Sequence, residues 1–194
     1  MHYQILKKAF NDISPISEED WLMIEHQLSF ENFARNEFYI TAGETETQIG
    51  FITKGSFKWY SINNKGDFIN FHFFFNNNFI VEYKSFLSRK PSEMNIQALE
   101  DSEVILLPKH DRILELYKTS HNWAEFGRKI AEWAYLLTVN RVYDFLNRNA
   151  EERYLQLLEQ HPDIFQRVSL SDIASYLGIQ GPSLSRIRKR ISRK

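Results

Sequence analysis

The sequence predicts an α+β fold: an N-terminal antiparallel β-roll, one long helix and a C-terminal helix-turn-helix. Three observations carry this. Residues 30–108 show short alternating apolar runs divided by glycine and asparagine turns. Residues 122–147 contain no proline and one glycine. The stretch SDIASYLGIQGPSLSRIRKR, residues 171–190, places two short helical patterns around a glycine. The corresponding units are the β-roll with N-terminal helices over 1–121, the long helix over 122–148, and the helix-turn-helix unit over 149–194.

The first thirty residues read as helical. Ser17-Glu18-Glu19-Asp20 is a capping-box start, followed by Trp21, Ile24 and Leu28 on one face. Strands then recur every 8–12 residues, divided at Ala42-Gly43-Glu44, Lys54-Gly55-Ser56, Asn63-Asn64-Lys65-Gly66 and Asn76-Asn77-Asn78. Within residues 68–75, period-2 alternation puts Ile69, Phe71, Phe73 and Phe75 toward the core and Asn70 and His72 outward. Phenylalanines 71, 73 and 75 are thus expected to fill the roll. A short helix over 83–89 interrupts the strands, and Pro108 stops the last one.

The helical period begins near residue 110. Residues 122–147 would span roughly 40 Å at 1.5 Å per residue. Gly127, Ala131, Ala134, Thr138 and Arg141 form a stripe beside a second one that includes Phe126 and Ile130. Small residues permit close helix approach, so Phe126, Gly127, Ile130, Ala131, Ala134, Thr138 and Arg141 are the expected dimer residues, against the alternative of a helix packing only within its own chain. Asn149-Ala150-Glu151-Glu152 opens the next helix, which Pro162 ends.

In the closing pair, Ser169 and Asp172 form a capping box, and Ile173, Ala174 and Leu177 give a buried face. Gly178 suits a positive φ, and Pro182 fits the first turn of the second helix. Leu184, Ile187 and Ile191 bury one side of it. The opposite side holds Pro182, Ser185, Arg186, Lys189 and Arg193.

Charge supports this division. The 194 residues carry a net charge of −1, yet residues 181–194 hold Arg186, Arg188, Lys189, Arg190, Arg193 and Lys194 with no acid. The rest of the chain is acidic. A cationic exposed face on a short helix is what a recognition helix needs to enter a major groove about 12 Å wide. Double-stranded DNA is therefore the expected partner, with Arg186 toward bases and Gln180, Ser183 and Ser185 also among the DNA-binding residues. Ser169 and Ser171 at the first helix, and Lys189 and Arg190 at the second, are placed on phosphates.

Composition excludes other classes. There is no cysteine, which removes disulfides, thiolate zinc sites and cysteine-bound clusters. The six histidines are dispersed, so no metal site is expected, and His72 reads as a structural histidine. There is no phosphate-binding glycine loop, nucleophile elbow or cysteine nucleophile, so no enzyme is expected. No apolar run is long enough to span a membrane and the start is not a signal peptide, so a cytoplasmic protein without membrane partners is expected. The rival reading is a ligand- or protein-binding roll whose helix pair does not bind DNA.

With its spaced glycines Gly43, Gly55 and Gly66, its segments PSEMNIQALEDSEV (91–104) and EERYLQLLEQHP (151–162), and above all IASYLGIQGPSLSRIRK (173–189), the chain resembles the Crp–Fnr family of bacterial transcription regulators over nearly its full length. The resemblance implies a cyclic-nucleotide-binding-like sensor roll, a homodimer, a DNA-binding domain, RNA polymerase as a further partner, and an effector site near Glu82 and Ser92. Three departures qualify it. Cyclic-nucleotide-binding members carry Gly-Glu, where Val81-Glu82 stands, and Arg with Ser or Thr and Ala, where Ser92-Glu93-Met94 stands. A buried phosphate without a cation is costly, so cAMP is not expected and no cofactor is assigned. Oxygen-sensing members use cysteine-bound clusters. Gly181-Pro182 stands where base-reading members show Arg-Glu, while the later arginine is kept as Arg186. With the given chain ending at Lys194, a wing hairpin is expected to be absent or minimal. The effector, the operator and the sign of regulation stay open.

Overall fold

The computed structural model describes residues 2–192. The chain opens with α1 (His2–Ile13) and α2 (Glu18–Leu22), followed by a 3₁₀ turn at Glu25–Gln27. The capping box forms: the Ser17 side chain accepts from the Asp20 amide, and the Asp20 carboxylate accepts from the Ser17 amide. The expected continuous face through Leu28 does not, because the helix stops at Leu22 and the chain tightens into the 3₁₀ turn. Trp21 and Ile24 are still buried.

The roll consists of two four-stranded sheets whose neighbouring strands pair antiparallel. One joins β1 (Ser29–Phe33), β8 (Ser102–Leu106), β3 (Gly50–Lys54) and β6 (Phe79–Ile80). The other joins β2 (Phe38–Ile40), β7 (Asn95–Ala98), β4 (Phe57–Ile62) and β5 (Phe68–Phe74). Phe33, Ile52, Phe57, Phe74, Ile96 and Val104 fill the space between them. Helix α3 (Tyr83–Ser88) interrupts the strands as expected.

A second core lies outside the first sheet. Leu6 and Phe10 of α1 meet Phe51, Phe79 and Ile105, together with Ile113 and Leu116 of α4 (His110–Thr119) and Trp123, Phe126 and Ile130 of α5 (His121–Asn147). Aromatic rings meet edge to face here, Phe10 lying 4.6 Å from Phe126 and 5.3 Å from Trp123. Asp20 fastens the start of α5, accepting from Ser120 and Asn122.

Strand β5 departs from simple alternation. Its pairing with β4 slips between Trp59↔His72 and Tyr60↔Asn70, so Phe71 is an extra residue. Such a bulge inverts the faces beyond it. Phe74 consequently enters the roll, while Phe73 and Phe75 pack outward on the C-terminal helices. Ile69 is exposed and Asn70 is buried, the reverse of the expectation for both. Phe73 and Phe75 therefore do not fill the roll.

The C-terminal unit contains α6 (Ala150–Gln160), α7 (Ile164–Arg167), α8 (Leu170–Tyr176) and α9 (Gly181–Ile191). The single turn α7 has no counterpart in the sequence reading. Tyr154, Leu157, Ile164, Val168, Ile173, Leu177, Leu184 and Ile187 form the core, which Phe73 and Phe75 complete. The unit is thus packed onto β5 of its own chain.

Candidate nucleic-acid interface and effector cleft

The helix pair is built as its residues dictate. Ser169 caps α8 by accepting from the Asp172 amide. Gly178 takes φ +67°, and a Cβ there would lie 2.6 Å from the Phe145 ring, so both conformation and space require glycine. Pro182 occupies the first turn of α9, where its missing N–H is no loss. Leu184 and Ile187 are buried and Ile191 is half-buried.

With that face committed, Ser185, Arg186, Arg188, Lys189 and Arg190 are exposed. Gln180, at the N-cap, is exposed and makes no capping bond, and Ser183 is half-buried. Arg186 folds back weakly on its own helix, donating to Ser183 Oγ at 3.3 Å and the Pro182 carbonyl at 3.4 Å. Arg188 lies over the Phe165 ring, and Arg190 pairs with Glu151. Among the described residues Lys189 has no ion-pair partner within 4 Å. Arg193 and Lys194 lie outside the described residues.

Ser169 and Ser171 are exposed at the start of α8, their hydroxyls 2.8 Å apart. Asp172 beside them would repel phosphate, but it points back to the roll and pairs with Lys58 at 3.1 Å. Burial opposes its ionisation. The Ser169 hydroxyl, the Lys58 ammonium and the Asn70 amide outweigh burial and hold its carboxyl below the usual range. Asn70 donates to Asp172, and Ser175 donates to the Phe68 carbonyl. A second tie joins Arg167 to Glu100, to the Gly55 carbonyl and to Asn76. The sequence reading missed Lys58, Asn70, Glu100 and Arg167. One signal was available, an asparagine amid the aromatic residues of β5.

Glu82 and Ser92 are both buried and both engaged. Glu82 caps α3, accepting from the Ser85 amide at 2.8 Å. Ser92 Oγ closes a local turn on Met94. Arg89 is the left-handed C-cap of α3 and donates to the Glu46 carbonyl. The Glu46 carboxyl is pushed up to about 7 by burial, against the amides of Gln48, Glu82 and Thr47 that favour its charge. A cleft of about 530 Å³ lies between the roll and α5, beside Glu82 and lined by Glu93 and Met94. Its one lysine, Lys84, is paired with Glu93 at 2.6 Å, and both side chains are exposed.

Along α5, the seven residues expected at a dimer interface do not share one free face. Phe126 and Ile130 are in the N-terminal core, and a Cβ on Gly127 would lie 2.4 Å from Tyr117. Ala131, Ala134 and Thr138 line the cleft. Arg141 donates to the carbonyls of Tyr176 and Asn70. Gly127 thus marks a close approach within the chain, while Ala131, Ala134 and Thr138 stay partly open along the cleft. Large apolar side chains exposed on α5 include Tyr135, Leu136, Val139, Val142, Tyr143 and Leu146, of which Leu136, Val139, Tyr143 and Leu146 form one strip. Among the described residues there is no cluster suited to a metal, and no helix is long and apolar enough to cross a membrane.

Residues 30–120 match the cyclic nucleotide-binding domain family. No curated protein matches the chain. Among solved structures, FixK2 from Bradyrhizobium japonicum is similar at 15% identity and TM-score 0.72, covering 86% of this chain and 85% of its own. A protein from Eubacterium rectale, described as a transcriptional regulator of the Crp/Fnr family, gives 14%, 0.73, 94% and 85%. The c-di-GMP-responsive global regulator CLP from Xanthomonas campestris gives 16%, 0.67, 90% and 90%. The expected roll, long helix and helix-turn-helix are therefore arranged as in these structures: residues 30–120 match the cyclic nucleotide-binding domain family, and the chain shares the fold of these regulators.

Proposed function

We propose that the protein is a homodimeric, sequence-specific DNA-binding transcription regulator of the cytoplasm. Residues 1–121 sense, 122–148 dimerise and 149–194 bind DNA. The observation that carries the reading is α9, whose apolar side is buried while Arg186, Lys189 and Arg190 are displayed outward. Arg186 has only weak intrahelical bonds to give up to a guanine edge. Lys189 and Arg190 serve phosphates, Arg190 exchanging Glu151 for DNA. Ser171 offers its hydroxyl to the backbone, Ser169 turns its hydroxyl from Asp172 to phosphate on binding, and Lys58 cancels the nearby acid. The regulators of the same fold support this role.

The dimer seam is Leu136, Val139, Tyr143 and Leu146. Their 3-4-3 spacing is that of a and d positions, which bury one stripe against an identical helix. The effector is not a cyclic nucleotide, because Ser92 stands in place of a phosphate-binding arginine and is already engaged.

Selection of bound fragments from random duplexes tests the reading. A two-fold-related site is expected, with half-sites about 34–36 Å apart and affinity falling steeply with salt. Failure to enrich any duplex, with salt-independent retention of a protein partner instead, would identify a binding module without DNA activity.

A further inference from the structure

We propose that Arg141 is the positioning residue of the helix pair: its guanidinium ties α8 to both the roll and α5, and so sets the angle at which α9 stands to the dimer seam. The proposal deepens the DNA-binding reading above and rests on it for the purpose of that angle.

Three parts of the chain meet on this side chain. Arg141 projects from α5, and its Nη2 donates to the Asn70 carbonyl of β5 at 3.1 Å and to the carbonyl of Tyr176, the last residue of α8. Its guanidinium lies 3.7 Å from the centre of the Tyr176 ring and 4.4 Å from that of Phe145. It is half-buried, and among the described residues it forms no ion pair within 4 Å. The charge is therefore satisfied by carbonyl dipoles and ring faces, which fix its direction as a lone carboxylate would not. The Tyr176 carbonyl is in turn one of the acceptors that a helix end leaves without an intrahelical partner.

A second arginine repeats the pattern. Arg153 of α6 donates to the Leu177 carbonyl at 2.8 Å and lies 4.7 Å from the Phe145 ring that Arg141 also meets. Phe145 fills the space that a side chain at Gly178 would need. The last turns of α5 are thus keyed to the turn between α8 and α9 by stacking and directed bonds. By helical period Arg141 falls on the side of α5 opposite Leu136, Val139, Tyr143 and Leu146. One face of α5 meets the second copy while the other holds the helix pair, so a rotation of the pair about Arg141 changes the separation of the two α9 helices. The pairs Lys58–Asp172 and Arg167–Glu100 join the helix unit to the roll but not to α5. A lysine at position 141 would keep the charge without the planar fork that serves two carbonyls between two rings.

The chain has no cysteine, so two introduced ones can be labelled uniquely. Spin labels at Val142→Cys on α5 and Ser185→Cys on α9, both exposed positions, report the angle as a distance. Doubly labelled chains are diluted with unlabelled chain so that only the intrachain distance is read. The parent should give one narrow distance, and Arg141→Lys should broaden or split it. Leu157→Ala, in the core of the helix unit, should lower the urea midpoint yet leave the distance narrow. On the selected duplex Arg141→Lys should bind about tenfold more weakly, the loss of one hydrogen bond from a charged donor. It should also discriminate less than the parent against duplexes with a base pair added or removed between the half-sites. An unbroadened distance in Arg141→Lys, equal broadening in Leu157→Ala, or an unchanged spacer preference overturns the proposal. The distance is read without DNA, so failure to select any duplex removes the DNA reading while the joint is still decided, and an unbroadened distance removes the joint while duplex selection stands.

Discussion

His72 is neutral at physiological pH. Burial, followed by the positive fields of His161 and Arg141, lowers its imidazole to about 3, from an ordinary 6.5. The unfolded chain therefore takes up a proton near pH 6.5 that the folded chain refuses, and stability is lost as pH falls from there toward 3. His161, lowered chiefly by burial, acts in the same direction. Glu46 works with the opposite sign. Its raised carboxyl, about 7 against an ordinary 4.5, contributes stability that is lost as pH rises through neutrality. His72→Asn should flatten the fall in urea midpoint between pH 6.5 and 4. Glu46→Gln should flatten the fall between pH 5 and 8. An unaltered profile in either variant contradicts the corresponding assignment.

At the scale of elements, strands β4 and β5 have two tasks. Trp59 and Phe71 line the cleft, while Lys58 and Asn70, their chain neighbours, hold α8. The Lys58 and Asp172 side chains are only 16% and 14% exposed, too covered to be screened like a surface pair. A double-mutant cycle of Lys58→Met and Asp172→Asn should give a coupling of about 1–2 kcal/mol in unfolding free energy. Additive effects would show that the contact does not fasten the two units. Little of this was legible from sequence. The capping residues, Gly178 and the apolar spacing of α9 fixed the helix pair, because those signals are local. The phase of β5 was misread at Phe71, since a bulge leaves no mark in an all-aromatic run and only the partner strand reveals it. Arg167 was invisible for a related reason, because its partners Glu100, Gly55 and Asn76 are distant in sequence.

At the scale of the whole molecule, α5 belongs to every part. Its first turns enter the N-terminal core, its middle walls the cleft, and Arg141 touches α8. The sequence revealed its length, but not that Phe126, Gly127 and Ile130 are taken up by the chain's own core, since a small residue serves an intrachain close approach as readily as a partner's. The exposed strip from Leu136 to Leu146 points to a second copy. Val139→Asp should convert a dimeric mass in sedimentation to a monomeric one and abolish tight binding to a two-fold site. A monomeric parent protein, with and without DNA, would contradict the seam.

The central claim is that α9 reads DNA through the side chains it displays, and the most direct measurement is a titration of the selected duplex with the parent protein and Arg186→Ala across a salt series. The account predicts that Arg186→Ala loses about 1–3 kcal/mol on the selected site, little on unrelated duplex, and shows relaxed base choice at one position in each half-site. Equal affinity of the two proteins for the selected duplex, with the same base preference, would contradict it.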